Sequence, residues 1–193
     1  QTCALPISLV VADLPFGSYE VSVEQALQTA IRFLKEAKAH AVKLEGGARV
    51  TSQVAALVKY GIPVMGHLGM TPQAVNAFGG FKVQGRADAG ATILADAKAL
   101  QEAGCFALVL ELIPAELAEQ ITSHLSIPVI GIGAGGKCDA QVLVWNDLMG
   151  LTEKPPRFAR KYRDLRTEMT SAVQEWIADV ESGAFPSEKE SFH

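Results

Sequence analysis

Short apolar runs rich in β-branched residues alternate with longer amphipathic stretches along most of the chain. The runs predict six strands, at residues 9–14, 41–45, 63–68, 106–112, 128–134 and 141–145. The stretches between them predict helices at residues 23–39, 52–60, 88–103 and 114–124. Strands that alternate with helices are typical of a parallel α/β sheet, and the nearly continuous hydrophobicity of the strands indicates burial of both faces.

Capping and helix-ending residues support these elements. Ser22 and Gln25 form a capping-box signal, and Gly61 and Gly104 punctuate two helix ends. Beyond residue 155, apolar residues recur at three- and four-residue spacing and predict C-terminal helices at about 157–183, closed by Gly183. Because there is no internal repeat or low-complexity linker, we expect a single domain over residues 1–193.

Ionisable residues interrupt four successive predicted strands close to their carboxyl ends. They are Asp13, Lys43 with Glu45, His67 and Glu111. Side chains alternate between the two faces of a strand, so Lys43 and Glu45 share one face. In a parallel barrel or an open sheet, the carboxyl ends of the strands are where sites form.

Each of these residues also has a purely structural interpretation. Asp13 could cap a turn, Lys43 and Glu45 could form an interior ion pair, and His67 could be a hydrogen-bonded core histidine. Glu111 could belong to a structural ion pair, since an unpaired buried carboxylate is costly. Four independent structural roles would have to coincide at one rim, so the pattern favours a functional site.

The residue types suggest metal-assisted chemistry on a small anion. Asp13 and Glu45 offer the hard oxygen ligands that Mg²⁺ prefers. Lys43 can neutralise a substrate carboxylate, and a partly desolvated Glu111 can serve as a general base. A keto acid chelated by a metal has an acidified proton beside its carbonyl, so the sequence predicts enolate formation.

Two glycine-rich segments carry weaker signals. Residues 131–136 match G-x-G-x-x-G after a strand, but no acidic residue follows at the ribose-binding distance. We therefore expect these glycines to allow close backbone approach, by a ligand or by packing. Residues 79–86 are interpreted as either a mobile lid or a long surface loop.

Composition and charge exclude several classes of function. The chain has 193 residues, 49% of them hydrophobic, and a net charge of −4, which argues against binding to nucleic acid. No apolar run approaches the roughly 20 residues of a membrane span. The cysteines, Cys3, Cys105 and Cys138, form no disulfide or zinc pattern, and no secretory leader is recognisable. We expect a cytoplasmic protein.

Five motifs in order carry a family resemblance. They are Asp-Leu-Pro-Phe-Gly-Ser-Tyr at 13–19, Val-Lys-Leu-Glu-Gly-Gly at 42–47, Gly-His-Leu-Gly-Met-Thr-Pro-Gln at 66–73, Gly-Phe-Lys-Val-Gln-Gly-Arg at 80–86 and Ile-Gly-Ile-Gly-Ala-Gly at 130–135. Together they resemble the ketopantoate hydroxymethyltransferase family, from about residue 9 to residue 192. Residues 1–7 are expected to fall outside the resemblance.

The resemblance implies a fold and an activity. The fold is a TIM-type (β/α)8 barrel of the phosphoenolpyruvate/pyruvate-domain kind, here without about the first two β/α units, because the family's N-terminal segment has no counterpart. The activity is transfer of a hydroxymethyl group from 5,10-methylenetetrahydrofolate to 3-methyl-2-oxobutanoate, giving 2-dehydropantoate for pantothenate biosynthesis. The resemblance also implies a homo-oligomer, commonly a decamer in the family.

The same resemblance implies roles for the residues at the rim. Asp13 and Glu45 would be Mg²⁺ ligands, Lys43 would bind the keto acid with Asp13 beside it, Glu111 would be the proton acceptor, and His67 would line the pocket. Two alternatives stay open at this point. One is another Mg²⁺-dependent lyase or aldolase acting on keto acids, and the other is an inactive fragment of the transferase.

Overall fold

A computed structural model describes residues 8–192 and divides the chain into two compact units. The first unit ends at Val142 and the second begins at Leu143. The first contains a parallel sheet and its covering helices. The second contains α6 (Trp145–Leu148) and α7 (Leu165–Ser182). The expectation of a single domain over the whole chain stays a prediction.

The first unit is built on one six-stranded parallel sheet. Its strands are β1 (Val11–Asp13), β2 (Ala41–Glu45), β3 (Val64–Gly69), β4 (Ala107–Glu111), β5 (Val129–Ile132) and β6 (Ala140–Gln141). Every strand pairs with the next strand in the sequence, so the spatial order equals the chain order. This sequential parallel order is that of a β/α barrel, with six of the eight strands of a complete barrel.

Helices connect the first five strands. They are α1 (Val23–Lys35), α2 (Thr51–Lys59), α3 (Val75–Phe78), α4 (Ala89–Glu102) and α5 (Ala115–His124). Short 3₁₀ turns at Ala48–Val50 and Pro72–Ala74 precede α2 and α3, and a third lies at Glu188–Glu190. No helix among residues 8–192 is long and apolar enough to cross a membrane.

The first five predicted strands are confirmed, with boundaries within two residues. The prediction for β2 matches its observed bounds, those for β1, β4 and β5 extend one or two residues too far at both ends, and that for β3 begins and ends one residue too early. The prediction of a strand over residues 141–145 was wrong, because the ladder ends at Gln141 and Trp145 begins a helix. Val142, Val144 and Trp145 are exposed, so this apolar run reflects no buried strand.

Several helices end where the backbone takes a positive φ, a conformation that glycine tolerates better than other residues. Gly61 and Gly104 end α2 and α4 with φ of +81° and +101°, and Gly183 ends α7 with φ of +75°, as predicted. α1 stops at Lys35 rather than at residue 39, and Lys38 beyond it has φ of +54°. Residues 157–164 precede α7 and are not helical, so the predicted start at about 157 was wrong.

The capping signal at α1 is half confirmed. The Ser22 side chain accepts a hydrogen bond from the Gln25 backbone N–H at 3.1 Å, as a helix N-cap does. The Gln25 side chain accepts from the N–H of Val21, not from that of Ser22. The reciprocal bond of a capping box is therefore shifted by one residue, and Gln25 ties α1 to the preceding loop.

The two faces of the sheet have opposite character. One face packs on the helices and forms the hydrophobic core, with Val42, Leu44, Val64, Leu108 and Leu110 fully buried. The helices contribute Ala26, Ala30, Val54, Leu57, Leu100 and Ile121 to this core. The opposite face carries the ionisable residues, so the core holds the sheet without using the side chains of the candidate site.

Glycines allow close approaches at two strand ends. Gly69 ends β3 with φ of +90°, and a Cβ there would overlap the Glu111 carbonyl oxygen, which accepts a hydrogen bond from Met70 N–H at 2.8 Å. Gly135, in the 131–136 segment, lies against Ala115 at the start of α5 with no room for a side chain. Close packing therefore accounts for the Gly135 position of the G-x-G-x-x-G match.

Replacing Gly69 with alanine should destabilise the chain more than the same change at Gly61. Both positions have positive φ, which costs a side chain about 1–2 kcal/mol. Only Gly69 adds a clash with backbone, worth about 1–3 kcal/mol more, because nothing lies within 4 Å of a Cβ at Gly61. Urea denaturation of Gly69→Ala and Gly61→Ala measures the difference, and equal losses would contradict the close approach of β3 to β4.

Cys105 should resist alkylation while the protein is folded. Burial raises the pKa of its thiol to about 12, so almost no thiolate forms at pH 8.5. Burial also raises the pKa of the Cys138 thiol, but that side chain is only partly buried and should react faster with iodoacetamide. Peptide mass spectrometry over time measures both rates. In denaturant the two should become equal, and a native Cys105 that reacts first would refute the buried position.

Candidate active site

Strand register brings the predicted site residues to one face of the sheet. Asp13 pairs with Lys43, and Glu45 pairs with His67. Glu111 pairs with Gly69, two residues beyond His67 on the same face of β3. Paired residues of parallel strands point to the same side, so all five side chains belong to the face opposite the hydrophobic core. The sequence prediction of one shared rim is consistent with this placement.

Four of these residues form a line across β1, β2, β3 and β4. Lys43 Nζ lies 2.6 Å from Asp13 Oδ1 and 3.3 Å from His67 Nδ1. On the other side of the ring, His67 Nε2 lies 3.1 Å from Glu111 Oε2. The line thus places a cation beside an aspartate at one end and an imidazole beside a glutamate at the other.

His67 occupies the middle of the site and is only 4% exposed. Its Nδ1 faces Lys43 Nζ, and its Nε2 faces Glu111. Nε2 makes no aligned hydrogen bond to any described residue, although Glu111 is within 3.1 Å. The imidazole therefore lies between the cation and the predicted base.

Glu45 is the most deeply buried carboxylate of the site, at 3% exposure. Its Oε2 accepts a hydrogen bond from Gln73 N–H at 3.0 Å, and its Oε1 lies 3.7 Å from His67 Nδ1. Burial raises the pKa of Glu45, against the lowering effects of His67, the Gln73 N–H and Lys43. The neighbouring groups therefore do not fully offset the cost of burying the charged form of this carboxylate.

The carboxylates are compatible with a magnesium ion. Among residues 8–192 no group of three or more His, Cys, Asp or Glu side chains is arranged to enclose a metal. Mg²⁺, however, is usually held by one or two carboxylates together with waters and substrate oxygens. Asp13 is 53% exposed at its side chain, and the charge of Glu45 is incompletely compensated. Both residues fit that donor set.

A cavity of about 600 Å³ lies beside the site. Glu45, Tyr19, Gln73 and Arg49 are among its lining residues. Cavities of a few hundred Å³ hold small organic ligands. The first unit therefore has room for a small molecule next to the buried carboxylate.

The structure also adds two residues that sequence reasoning left without a role. Tyr19 and Gln73 close the first and third of the five motifs, and their side chains meet with Tyr19 Oη 2.8 Å from Gln73 Oε1. They are 54 positions apart in the chain, and no local pattern reports such a contact. The available signal was that each polar residue follows a strand end closely.

A sequential parallel β/α sheet with charged residues at the carboxyl ends of its strands defines a β/α-barrel enzyme class, in which sites form at that end of the barrel. The family model for ketopantoate hydroxymethyltransferase matches residues 3–188. The chain belongs to that family. The predicted barrel fold is thereby confirmed. The match begins inside the first seven residues, which contradicts the expectation that they resemble nothing in the family. Their structure lies outside the described residues.

Curated relatives agree with the family model. A 3-methyl-2-oxobutanoate hydroxymethyltransferase of Rhodococcus jostii (strain RHA1) is 56% identical over 188 residues, covering 97% of this chain and 65% of the relative. Relatives of the same name are 59% identical in Acidothermus cellulolyticus, covering 96% and 69%, and 57% identical in Mycobacterium marinum, covering 97% and 63%. The chain spans about two thirds of the length of these relatives.

Replacing Lys43 should cost more stability than replacing Asp13. The Asp13 carboxylate is more than half exposed, so Asp13→Asn should change the free energy of unfolding by less than about 1 kcal/mol. Lys43 is 17% exposed and faces both Asp13 and His67, so Lys43→Met should cost about 1–3 kcal/mol. Urea denaturation in metal-free buffer checks this order. The reverse order would contradict the view that Lys43 stabilises the site through its contacts with both Asp13 and His67.

Proposed function

We propose that this chain carries the catalytic face of an enzyme that transfers a hydroxymethyl group from 5,10-methylenetetrahydrofolate to 3-methyl-2-oxobutanoate, forming 2-dehydropantoate. The observation that carries the proposal is the line Asp13–Lys43–His67–Glu111 on the face opposite the core. It provides a cation for an acid substrate and a carboxylate for its proton. Membership of the family supports the same reaction.

Lys43 is proposed to bind the keto acid. Its ammonium group is the one cation in the line, and Asp13, on the exposed side, leaves that end of the site open to a ligand. An incoming carboxylate would replace water around Lys43 while Asp13 stays beside it. A compact ammonium group suits a substrate of this size, since it acts as a point charge.

Glu111 is proposed to remove the proton from C3 of the keto acid. Its side chain is only 13% exposed, and His67 Nε2 lies 3.1 Å from its Oε2. The resulting enolate carbon forms the new bond to the methylene carbon of the folate. The methylene carbon starts out bonded to two folate nitrogens, and both of these bonds break: the first as the new C–C bond forms, and the second as the oxygen of water replaces the nitrogen. One nitrogen gains the proton that Glu111 removed, the other gains one proton of the water, and the remaining O–H becomes the hydroxyl of the product.

Asp13 and Glu45 are the residues that would hold Mg²⁺. When bound, the ion supplies Lewis acidity that polarises the keto group and acidifies the neighbouring C–H. The incompletely compensated charge of Glu45 and the exposed carboxylate of Asp13 support this assignment. His67, assigned to the pocket lining by the resemblance, is proposed to act on the site from its buried position beside Glu111.

Location and assembly are proposed from the family resemblance. We propose a cytoplasmic homo-oligomer, with the decamer of the family as the expected state. Size-exclusion chromatography with light scattering measures the assembly directly. The protein's partners in the reaction would be two small molecules, the keto acid and the folate.

Glu111→Gln should abolish enolisation while leaving the fold intact. In D₂O with Mg²⁺ and 3-methyl-2-oxobutanoate, the protein should exchange the C3 hydrogen, and loss of the base should slow exchange by at least about 100-fold. Proton NMR follows the exchange, and chromatography with mass spectrometry follows 2-dehydropantoate once folate is added. The matched control is Glu116→Gln, which neutralises an exposed carboxylate on α5.

The assay should be run on two proteins, because the chain spans only part of its relatives. One is the 193-residue chain, and the other is the Rhodococcus jostii relative with its matching segment replaced by this chain. Full activity of Glu111→Gln in either protein would refute the assigned base. Cleavage of the keto acid without folate would favour a lyase or aldolase, and activity of only the second protein would identify the chain as an inactive fragment.

A further inference from the structure

We propose that Gln73 and Tyr19 are positioning residues that fix the ends of β1 and β2, so that the Asp13 and Glu45 carboxylates can bind one divalent cation together. This inference rests on the proposed metal site. Neither residue carries a charge. Their role follows from the partners of their hydrogen bonds.

Gln73 is bonded to both carboxylate-bearing strand ends. Its side-chain Nε2 donates to the Leu14 carbonyl oxygen at 2.8 Å, one residue after Asp13. Its backbone N–H donates to Glu45 Oε2 at 3.0 Å. One residue in the loop after β3 therefore contacts the residue next to the first carboxylate and the second carboxylate itself.

Tyr19 closes the network from the loop after β1. Its hydroxyl donates to Gln73 Oε1 at 2.8 Å and accepts from Glu45 N–H at 3.2 Å. The side chain is 2% exposed, so both hydrogen bonds are shielded from water. The assignment of donors is consistent, since the amide of Gln73 donates through nitrogen and accepts through oxygen.

The network adds side-chain contacts to the end of β1, where Leu14 is fully buried and its N–H donates to the Lys43 carbonyl oxygen at 2.9 Å. This strand has three residues and pairs with β2 alone among the described strands. Besides backbone pairing, the Asp13 side chain is restrained by its ion pair with the flexible Lys43. The Gln73–Leu14 bond adds a rigid link from β1 to the loop that also fixes Glu45. Without this bond, the distance between the two carboxylates would depend on the backbone pairing of β1 with β2 and on the Asp13–Lys43 ion pair.

A purely structural role makes a different prediction from a positioning role. If Gln73 and Tyr19 only stabilise the fold, their loss lowers stability without changing metal affinity of the folded protein. If they position the two carboxylates, folded variants bind the metal more weakly. Outer contacts that orient metal ligands typically affect affinity by about 10–100-fold.

The experiment measures Mn²⁺ binding to the 193-residue chain by electron paramagnetic resonance, with Mn²⁺ as a probe for the magnesium site. The variants are Gln73→Met, which removes both side-chain bonds while keeping the backbone N–H, and Tyr19→Phe, which removes only the hydroxyl. The matched control is Gln25→Met. Gln25 likewise makes two side-chain bonds to the loop after β1, to Gly17 O and Val21 N, but contacts neither carboxylate-bearing end.

We expect the Mn²⁺ dissociation constant to rise about 10-fold or more in Gln73→Met and Tyr19→Phe, and less than twofold in Gln25→Met. Thermal melts in chelator identify the folded fraction of each variant, and amide exchange at Glu45 in chelator should accelerate in Tyr19→Phe. If Gln73→Met does not fold, the milder Tyr19→Phe still decides the question.

Unchanged affinity in a folded variant would overturn the inference, as would an equal loss in Gln25→Met or a wild-type chain that binds no Mn²⁺. Failure of the proposed reaction is a separate result. A wild-type chain that binds Mn²⁺ but does not exchange the C3 hydrogen refutes the activity and leaves the positioning role supported or overturned by the variants alone.

Discussion

The register of the parallel sheet is the constraint on which the site depends. Side chains alternate along each strand, and paired residues of neighbouring parallel strands point the same way. One register therefore sends Val42 and Leu44 into the core and Lys43 and Glu45 to the opposite face. A slip by one residue would bury the charges among the helices, at a cost that no partner there offsets. The hydrophobic core thus selects the arrangement of the charged face.

On the charged face, ionisable side chains share partners and do not form separate ion pairs. Lys43 contacts both Asp13 and His67, and His67 lies close to both Glu45 and Glu111. Burial nevertheless raises the pKa of Glu45, so compensation is incomplete at the deepest carboxylate. This imbalance is what a divalent cation would relieve.

The sequence predicted the elements and the charged face well because both depend on short-range patterns. Apolar runs located the first five strands, and side-chain alternation placed Asp13, Lys43, Glu45, His67 and Glu111 on one rim. Contacts between distant loops leave no such pattern, which is why Tyr19 and Gln73 had no assigned role. The run at 141–145 failed for a related reason, since its apolar residues resemble a strand whether or not a ladder partner is available.

The hydrogen bonds of Gln73 and Tyr19 act next to β1, which is an edge strand of the described sheet. A closed barrel has no edge, and each strand is held from both sides. In the described residues β1 is held from one side, yet it carries Asp13 at its end. That end is held by backbone pairing with β2 and by the buried Leu14, and the Asp13–Lys43 ion pair and the Gln73–Leu14 bond add side-chain restraints. β2 is paired on both sides, and Glu45 at its end also bonds with the Gln73 N–H and the Tyr19 hydroxyl. Gln73, bonded to Leu14 and to Glu45, therefore links the two strand ends that carry the carboxylates.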